Sequence, residues 1–363
     1  MKETFTAAVR MTKETLPVDI LLRLSQVEGF TSRHLRRLCI AHRTPPLPGV
    51  PRGDGQGIIR KAVEALTSGD AADRAMGIRD ACAKAGIRVV PLGSEDYPDA
   101  LRHLPDAPLL LYLAGENVPL EDSVALVGSR APTQHGRQFA GELARDLAAE
   151  GWTVVSGMAR GIDSAAHEGA LRGGGKTVAV LGCGADVVYP PEAGRLRERI
   201  LEQGALLSEY PPGTPPRQRH FPARNRIISG ISRGVVVVEA PTRSGALITA
   251  GLALDQGREV MAVPGNPLFP HTAGSNRLIR EGAEPVTCSG DVAAALGWAR
   301  RRPQEDEREM RILAFLSRPR HACEIAEALG IPASELLPCL LEMEFRKLLE
   351  RSAGDYYKKM SAN

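Results

Sequence analysis

Eight short apolar runs in the middle of the chain constrain its fold more than any other feature of the sequence. The runs lie at 88–92, 109–115, 123–128, 152–157, 177–182, 205–210, 234–240 and 259–265. Each of them is only a few residues long, and helical segments lie between them. Continuous apolar strands that alternate with helices indicate a parallel sheet that is buried on both faces. The sequence therefore predicts an α/β core, an extended Rossmann-like parallel sheet with helices on both sides.

The segment before these runs has a helical pattern. Apolar residues recur at helical spacing between Pro17 and Cys39, and a second helical stretch runs from Ile58 to Gly86. A Pro- and Gly-rich segment at 44–57 separates the two stretches and predicts a linker or an exposed loop. Residues 1–86 are therefore expected to form a small N-terminal helical domain.

The end of the chain has a third pattern. A charged segment at 301–309 is expected to be a linker. Beyond it the sequence predicts three short helices and a hairpin, with a Gly-containing turn between the second and third helices, which is the arrangement of a winged helix. The expected domains are a Rossmann-like domain at 87–300 and a winged helix at 309–363. With the helical domain they make three, which agrees with the two or three expected for 363 residues.

Composition excludes several classes of protein. Hydrophobic residues make up 43% and charged residues 25%, which excludes disordered and fibrous chains. The formal net charge is only +3, so any basic surface must be local. The six cysteines are scattered, without a CxxC pair or zinc-finger spacing, and indicate reduced thiols in a cytoplasmic protein without a metal. No segment approaches the roughly 18 apolar residues of a membrane span, so we expect no contact with a membrane.

The predicted strand ends favour an anionic ligand. Ligands of an open parallel sheet bind at the carboxyl ends of its strands, where helix N-termini attract anions. The loops at 127–130, 156–163 and 239–251 are rich in Gly, Ser, Thr or Arg, which suits close contact between backbone and phosphate. Neither GxGxxG after a strand nor GxxxxGK[ST] occurs, so we expect no dinucleotide or P-loop nucleotide as a cofactor.

The segment at 211–234 is a local basic patch in the sequence. No acidic residue lies between Glu209 and Glu239, whereas this interval contains Arg217, Arg219, Arg224, Arg226 and Arg233, with Phe221 among them. A ring beside arginines offers a stacking surface next to phosphate clamps, which is typical of single-strand binding. The alternative is a Pro-rich surface loop whose arginines cap a helix, and we expect each interpretation to hold for different arginines.

No catalytic site is predicted. Asp163 and His167 lie four residues apart on one helix face without a third ligand, so we interpret them as a capping aspartate and a partly buried histidine. Cys183 lies between two glycines, and no motif places a histidine to activate it, so we interpret it as a small core residue.

Six ordered motifs resemble those of the DNA-processing protein A family, also called DprA or Smf. They are VGSR at 127–130, SGMARGID at 156–163, LGCGADVVYP at 181–190, HFPARNRIISGIS at 220–232, TRSGALITA at 242–250, and VPGNP at 263–267 followed by AGSNRLIREGA at 273–283. The resemblance implies a Rossmann-like domain, a similar C-terminal winged helix, and an N-terminal domain like sterile-alpha or helix-hairpin-helix modules. The sequence departs from the family's motifs at Arg243, where Lys is common, and at Ser275, where Thr is usual.

The resemblance also implies a function. The family's proteins bind single-stranded DNA, protect incoming DNA in natural transformation and load the RecA recombinase onto it. A non-enzymatic homodimer without cofactors is implied, and the DNA-contacting arginine of the family falls on Arg130. The implied DNA-binding residues are Gly128, Ser129, Arg130, Ser156, Gly157, Arg160, Arg219, Phe221, Arg224, Asn225, Arg226, Arg243, Ser244 and Gly245.

Two other classes of function compete with this interpretation. Rossmann-like nucleoside-monophosphate phosphoribohydrolases carry PGGxGTxxE at the equivalent strand end. Aligning Gly245 with the glycine of their GT puts Thr249 where their catalytic glutamate belongs, which weighs against cleavage of an N-glycosidic bond. A transcriptional regulator would rest on the winged helix, but its third helix and flank carry four glutamates against three basic residues, which disfavours duplex reading.

Overall fold

A computed structural model describes residues 16–35, 55–297, 303–316, 318–345, 348–352 and 354–359. The chain divides into two compact units between residues 298 and 299. Most of the loop predicted at 44–57 lies outside the described residues, and its last three residues begin a helix.

A nine-stranded sheet forms the centre of the first unit. Its strands are β1 (Arg88–Pro91), β2 (Leu110–Gly115), β3 (Ser123–Val127), β4 (Thr153–Ser156), β5 (Thr177–Leu181), β6 (Ala205–Ser208), β7 (Gly234–Val237), β8 (Glu259–Ala262) and β9 (Glu284–Pro285). Their order in the sheet is β1-β2-β6-β5-β4-β3-β7-β8-β9. All eight predicted strands are present, which confirms the α/β core, and only the two-residue β9 was not predicted.

The strand directions differ from the prediction at one edge of the sheet. β3 to β9 pair in parallel, but β2 is antiparallel to both β1 and β6, with Leu113 opposite Leu207. The prediction of a parallel sheet therefore fails only at β2, which runs against the other eight strands. The physical reason is that β2 is buried on both faces like its parallel neighbours, so its sequence has the same continuous apolar character.

Helices cover both faces of the sheet. They are α1 (Val18–Ser25), α2 (Gly55–Thr67), α3 (Gly69–Lys84), α4 (Asp99–Arg102), α5 (Gln134–Ala149), α6 (Ile162–Arg172), α7 (Gly194–Gln203), α8 (His220–Ile231), α9 (Gly245–Asp255), α10 (Ala273–Arg280) and α11 (Ser289–Ala295). α8, α9 and α10 share a core with one face, whereas α5, α6, α7 and α11 cover the other. The N-terminal helices join this second layer, because Leu21 and Leu22 share a core with Leu110 and Tyr112. A domain boundary at residue 86 stays a prediction.

The carboxyl ends of β3 to β8 lie at one edge of the sheet, where each strand leads into a loop. Two of the helices that follow are capped there by hydroxyl groups. The Thr133 hydroxyl accepts a hydrogen bond from the Gly136 N–H at 3.0 Å, and the Ser244 hydroxyl accepts one from the Ala246 N–H at 3.2 Å. These caps fix the starts of α5 and α9 beside the strand ends.

The second unit is a winged helix. Its elements are α12 (Pro303–Phe315), β10 (Arg320–His321), α13 (Ala322–Leu329), α14 (Ala333–Phe345), β11 (Leu349–Ser352) and β12 (Tyr356–Lys359). Gly330 ends α13 with φ +64°, a left-handed conformation that favours glycine. α12 begins within the segment predicted as a linker, so that prediction is wrong there. Its many charged residues suggested a linker, and Pro303 suits the first position of a helix.

None of the helices in the described ranges combines the length and the apolar composition that crossing a bilayer requires.

Candidate functional site

A cavity of about 490 Å³ opens at the carboxyl edge of the sheet, between the loop after β3 and the N-terminal turns of α8 and α9. We call it the strand-end cavity. Nine of the predicted DNA-binding residues line it: Gly128, Ser129, Arg130, Phe221, Arg224, Asn225, Arg243, Ser244 and Gly245. Six of these nine residues lie in the loops at 127–130 and 239–251 that the strand-end rule selected.

A neighbouring cavity of about 290 Å³ shares Arg130 and Phe221 with the strand-end cavity and adds Gly157 and Arg160. The guanidinium carbon of Arg130 lies 5.4 Å from the centre of the Phe221 ring, within the range of a cation–π contact. The Tyr189 ring centre lies 5.4 Å from the Phe221 ring centre. Arg130 and Phe221 thus line both cavities, and they place a positive charge beside an aromatic ring there.

The loop that carries Arg130 is held by one residue of the next strand end. The Ser129 N–H donates to the Glu239 carbonyl oxygen at 2.7 Å. The Glu239 carboxylate accepts hydrogen bonds from the Thr133 N–H at 3.1 Å and the Thr133 hydroxyl at 2.8 Å. Glu239 was not predicted as a site residue, although its place after β7 was a usable signal. It anchors both ends of the loop and leaves the Arg130 side chain exposed.

The loop after β4 approaches the Arg130 loop closely. Gly161 has φ +84°, and a Cβ atom there would lie 2.4 Å from the Ser129 carbonyl oxygen, so only glycine fits. Met158 also has a positive φ, +58°, although it is buried and carries a side chain. Such backbone strain persists only where the surroundings fix it, and it is common at functional sites. The two strand-end loops therefore form one rigid structure.

Arg224 lines the strand-end cavity but is only 3% exposed. Its Nη1 donates to the carbonyl oxygens of Gly157, at 2.7 Å, and of Val180, so it links the ends of β4 and β5. Burial lowers the pKa of Arg224 to about 10, and the nearby Asp163 opposes this shift. Burial raises the pKa of Asp163, and the Arg224 charge opposes that shift in turn. Arg224 therefore shapes the wall of the cavity while contributing positive charge to it.

Three of the predicted DNA-binding arginines form ion pairs with carboxylates, and two of them do so away from both cavities. Arg226 donates to Asp106 at 3.0 Å and to Glu209 at 2.7 Å, and Arg219 lies 3.1 Å from Glu28. Neither arginine lines the strand-end cavity or its neighbour. The basic segment contains no acid in sequence, but the fold brings acids to it from elsewhere. The structure thus does not place Arg219 and Arg226 among the cations that face the cavities.

Several other candidate groups are buried. The Ser156 hydroxyl donates to the Leu126 carbonyl oxygen at 2.6 Å, so this predicted DNA-binding residue stays inside the sheet. His167 is fully buried with Nδ1 2.7 Å from the Thr177 hydroxyl, and burial lowers its pKa to about 3. Burial raises the pKa of Cys183 to about 11. His167 is therefore neutral and Cys183 is a thiol near pH 7. Within the described ranges, no cluster of His, Cys, Asp or Glu is arranged to hold a metal ion.

The structure adds residues to the strand-end cavity that the sequence analysis did not select. Asp163 lines it and accepts a hydrogen bond from the Ala159 N–H at 3.3 Å, but it lies inside the first turn of α6, whose N-cap is Gly161, so the predicted capping role is wrong. Thr249, at the position where the phosphoribohydrolases carry glutamate, is buried against the cavity. Gln218 and Ile248 also line the cavity.

Two family models match the chain. DNA recombination-mediator protein A matches residues 88–297, and the DprA winged helix domain matches residues 299–355. The DNA processing protein DprA of Bacillus subtilis is 41% identical over 209 residues, which are 57% of this chain and 70% of that protein. Protein Smf of Escherichia coli is 39% identical over 287 residues, which are 74% of this chain and 77% of that protein.

Two solved structures are similar to this one. DNA processing protein A of Streptococcus pneumoniae superimposes with a TM-score of 0.65 at 36% identity, covering 76% of this chain and 97% of that one. DNA processing protein A of Helicobacter pylori, described for its single-stranded DNA binding mode, superimposes with a TM-score of 0.53 at 30% identity, covering 58% of this chain and 97% of that one. From the motifs, the fold and these matches together, the chain belongs to the DNA recombination-mediator protein A family, that of DprA and Smf.

Proposed function

We propose that this protein binds single-stranded DNA at the strand-end cavity. The observation that carries the proposal is the meeting of two exposed guanidinium groups, Arg130 and Arg243, with Phe221 and the N-terminus of α9 around one opening. In the part of the chain that the structure describes, neither arginine has a carboxylate partner, so both charges are available to phosphate. A phosphate accepts hydrogen bonds from these groups and from helix N-terminal N–H donors, while a base stacks on Phe221.

Arg160 lines the neighbouring cavity but contributes less in this proposal, because it pairs with Glu192. A phosphate there competes with Glu192 for the guanidinium. Ser129, Asn225, Ser244 and the glycines supply short side chains and backbone that allow a strand to approach closely. The single-stranded DNA binding of the Helicobacter pylori relative supports this use of the cavity.

We further infer a role as a recombination mediator that protects incoming DNA in natural transformation and loads the RecA recombinase. Family membership supports this role, and the cytoplasm is the compartment it requires. We propose a homodimer, because a long strand that bridges two strand-end cavities gains affinity through effective concentration. The protein is proposed not to be an enzyme, since Thr249 replaces the carboxylate that base release requires.

Fluorescence anisotropy of labelled oligo-dT and of its duplex counterpart tests the binding proposal across a salt series. We expect preference for the single strand, weaker binding by Arg130→Ala, and a salt slope that is shallower by about 0.7 for one lost phosphate contact. Arg280→Ala is the matched control, because Arg280 is equally cationic and exposed but lies at the far end of α10. It should leave both affinity and slope unchanged.

Three results would count against the proposal. Equal affinity for duplex, or equal effects of Arg130→Ala and Arg280→Ala, would move the DNA site away from the strand-end cavity. Release of free base from nucleoside monophosphates would favour the phosphoribohydrolase class instead. RecA-dependent ATP hydrolysis on single-stranded DNA, with and without this protein, tests the loading role, and light scattering tests the homodimer.

A further inference from the structure

A second opening lies on the face of the sheet that α8 covers, away from the strand-end cavity. It is a cleft of about 320 Å³ with an apolar floor, to which β1, β2, β5 and β6 contribute. Val178 and Ala205, near the first residues of β5 and β6, line it. No residue lines both the cleft and the strand-end cavity, so the two openings are separate.

The floor of the cleft is apolar and partly open. Val90, Leu111 and Leu207 are buried within it, whereas Leu113 and Leu120 are only partly buried and face the opening. An open apolar floor of this kind provides a place for one large side chain of another molecule, which is how anchor residues fill pockets at protein interfaces.

The rim of the cleft is acidic. It carries the carboxylates of Glu95, Asp96, Asp99 and Glu121. Asp99 and Asp96 form ion pairs, with Arg102 at 2.7 Å and with Arg88 at 3.8 Å, respectively. Glu95 and Glu121 are exposed and form no ion pair with any residue that the structure describes. Two negative charges therefore remain uncompensated around an apolar floor, opposite in sign to the cations of the strand-end cavity.

We propose that this acid-rimmed cleft binds a protein partner through a peptide segment in which one large apolar side chain is flanked by Lys or Arg. The apolar side chain fills the floor over Leu113 and Leu120, and the flanking cations approach Glu95 and Glu121. Complementary charge selects such a segment and disfavours acidic ones, because like charges at an interface are repelled. The same charges disfavour nucleic acid at this cleft.

The positions of the two openings have a functional consequence. A partner at the acid-rimmed cleft leaves the strand-end cavity free, so one molecule holds the partner and single-stranded DNA at the same time. This consequence rests on the proposed function, whereas peptide binding itself does not.

The test uses the full-length protein and short fluorescein-labelled peptides in which lysines flank a central Leu, Phe, Trp or Ser. We expect peptides with a central apolar residue to bind about tenfold or more tightly than the Ser peptide, because only they bury apolar surface in the floor. The double variant Glu95→Gln/Glu121→Gln should weaken their binding about three- to tenfold at low salt, and added salt should shrink that difference.

The control variant is Glu202→Gln/Asp255→Asn, which makes the same change of net charge at exposed positions of α7 and α9. It should leave peptide affinity unchanged, and thermal unfolding should show that both double variants fold. Equal loss in the two variants, equal binding of the Ser peptide, or no binding of any peptide would overturn the proposal.

A last measurement separates this inference from the proposed function. Oligo-dT should bind with unchanged affinity when the cleft is saturated with the Leu peptide. Displacement of the peptide by oligo-dT would overturn the independence of the two sites. If wild-type protein binds the peptide but not oligo-dT, the proposed function fails and the acid-rimmed cleft stands.

Discussion

Replacing Glu239 by alanine is expected to release the loop that carries Arg130. The Glu239 carboxylate accepts hydrogen bonds from the N–H and the hydroxyl of Thr133, while the Glu239 carbonyl oxygen accepts one from Ser129. The substitution removes the carboxylate and keeps the carbonyl group. One end of the loop therefore loses its anchor while the other end stays attached to the sheet.

The size of the effect follows from these contacts. A hydrogen bond to a charged group contributes about 1.5 to 3 kcal/mol, and two donors lose such a partner. The carboxylate also borders a cavity of about 380 Å³, from which water replaces part of the lost interaction. We expect Glu239→Ala to lower the free energy of unfolding by about 2 to 4 kcal/mol. Glu239→Gln keeps one oxygen acceptor and should lose about half as much.

Urea unfolding measures this loss if the fluorescence signal comes from the first unit alone. It does so in the wild-type background, because Trp152 is buried in that unit and neither of the two tryptophans lies beyond residue 298. A double-mutant cycle with Thr133→Val isolates the coupling between the carboxylate and its hydroxyl partner, which should be positive and measurable.

The affinity for oligo-dT distinguishes two explanations for the role of Glu239, because they predict changes in affinity of opposite sign. If Glu239 acted only as a negative charge near the DNA site, its removal would strengthen binding of phosphate. If it positions the Arg130 loop, removal weakens binding, and we expect a loss of about three- to tenfold for Glu239→Ala with partial rescue by glutamine. Tighter DNA binding, or an unfolding free energy changed by less than about 0.5 kcal/mol, would refute the reasoning.

Three further predictions concern residues around the site. Gly161→Ala should lower the free energy of unfolding by about 1 to 3 kcal/mol more than Gly257→Ala does. Both glycines have a positive φ, but only Gly161 lies against the Ser129 carbonyl oxygen. Equal urea midpoints of the two variants would contradict this prediction. Burial lowers the pKa of His167 to about 3, so as pH falls this imidazole gains its proton in the unfolded chain before it does so in the folded one. The free energy of unfolding should therefore decline between about pH 6.5 and 3, by up to about 1.4 kcal/mol per pH unit. His167→Gln should flatten the dependence of stability on pH, and the same dependence in the variant and the wild type would contradict this prediction. Arg226→Gln should lower stability but leave the salt slope of oligo-dT binding unchanged, whereas a shallower slope would return Arg226 to the DNA site.

Much of the fold could be predicted from the sequence, because a strand that is buried on both faces of the sheet has a recognisable apolar sequence. A strand inside a covered sheet needs apolar residues at every position, and the runs at 88–92 through 259–265 carry that pattern. Strand direction leaves no such trace, which is why the antiparallel β2 was not foreseen. The early start of α12 was missed because its many charged residues resemble those of a linker.

The candidate site was predictable where it depends on position along a strand. The rule that ligands bind at strand ends selected Arg130, Arg243 and Gly245, and all three line the strand-end cavity. The rule also selected the loop that begins with Glu239, but not the anchoring role of this residue, because the sequence does not show that its carboxylate reaches Thr133. A hydrogen bond between residues so far apart in the chain exists only after the strands have paired.

The sequence alone determined the layered α/β architecture, the winged helix and the loops that form the site, since periodicity and strand ends are local properties. Only the tertiary structure decided which charges remain available. Arg226 lies in a segment without acids, yet it is neutralised by Asp106, 120 residues away in the chain. Arg130 and Arg243 remain exposed at the cavity, without a carboxylate partner among the described residues. Ion pairing depends on distance in space, and the fold sets that distance.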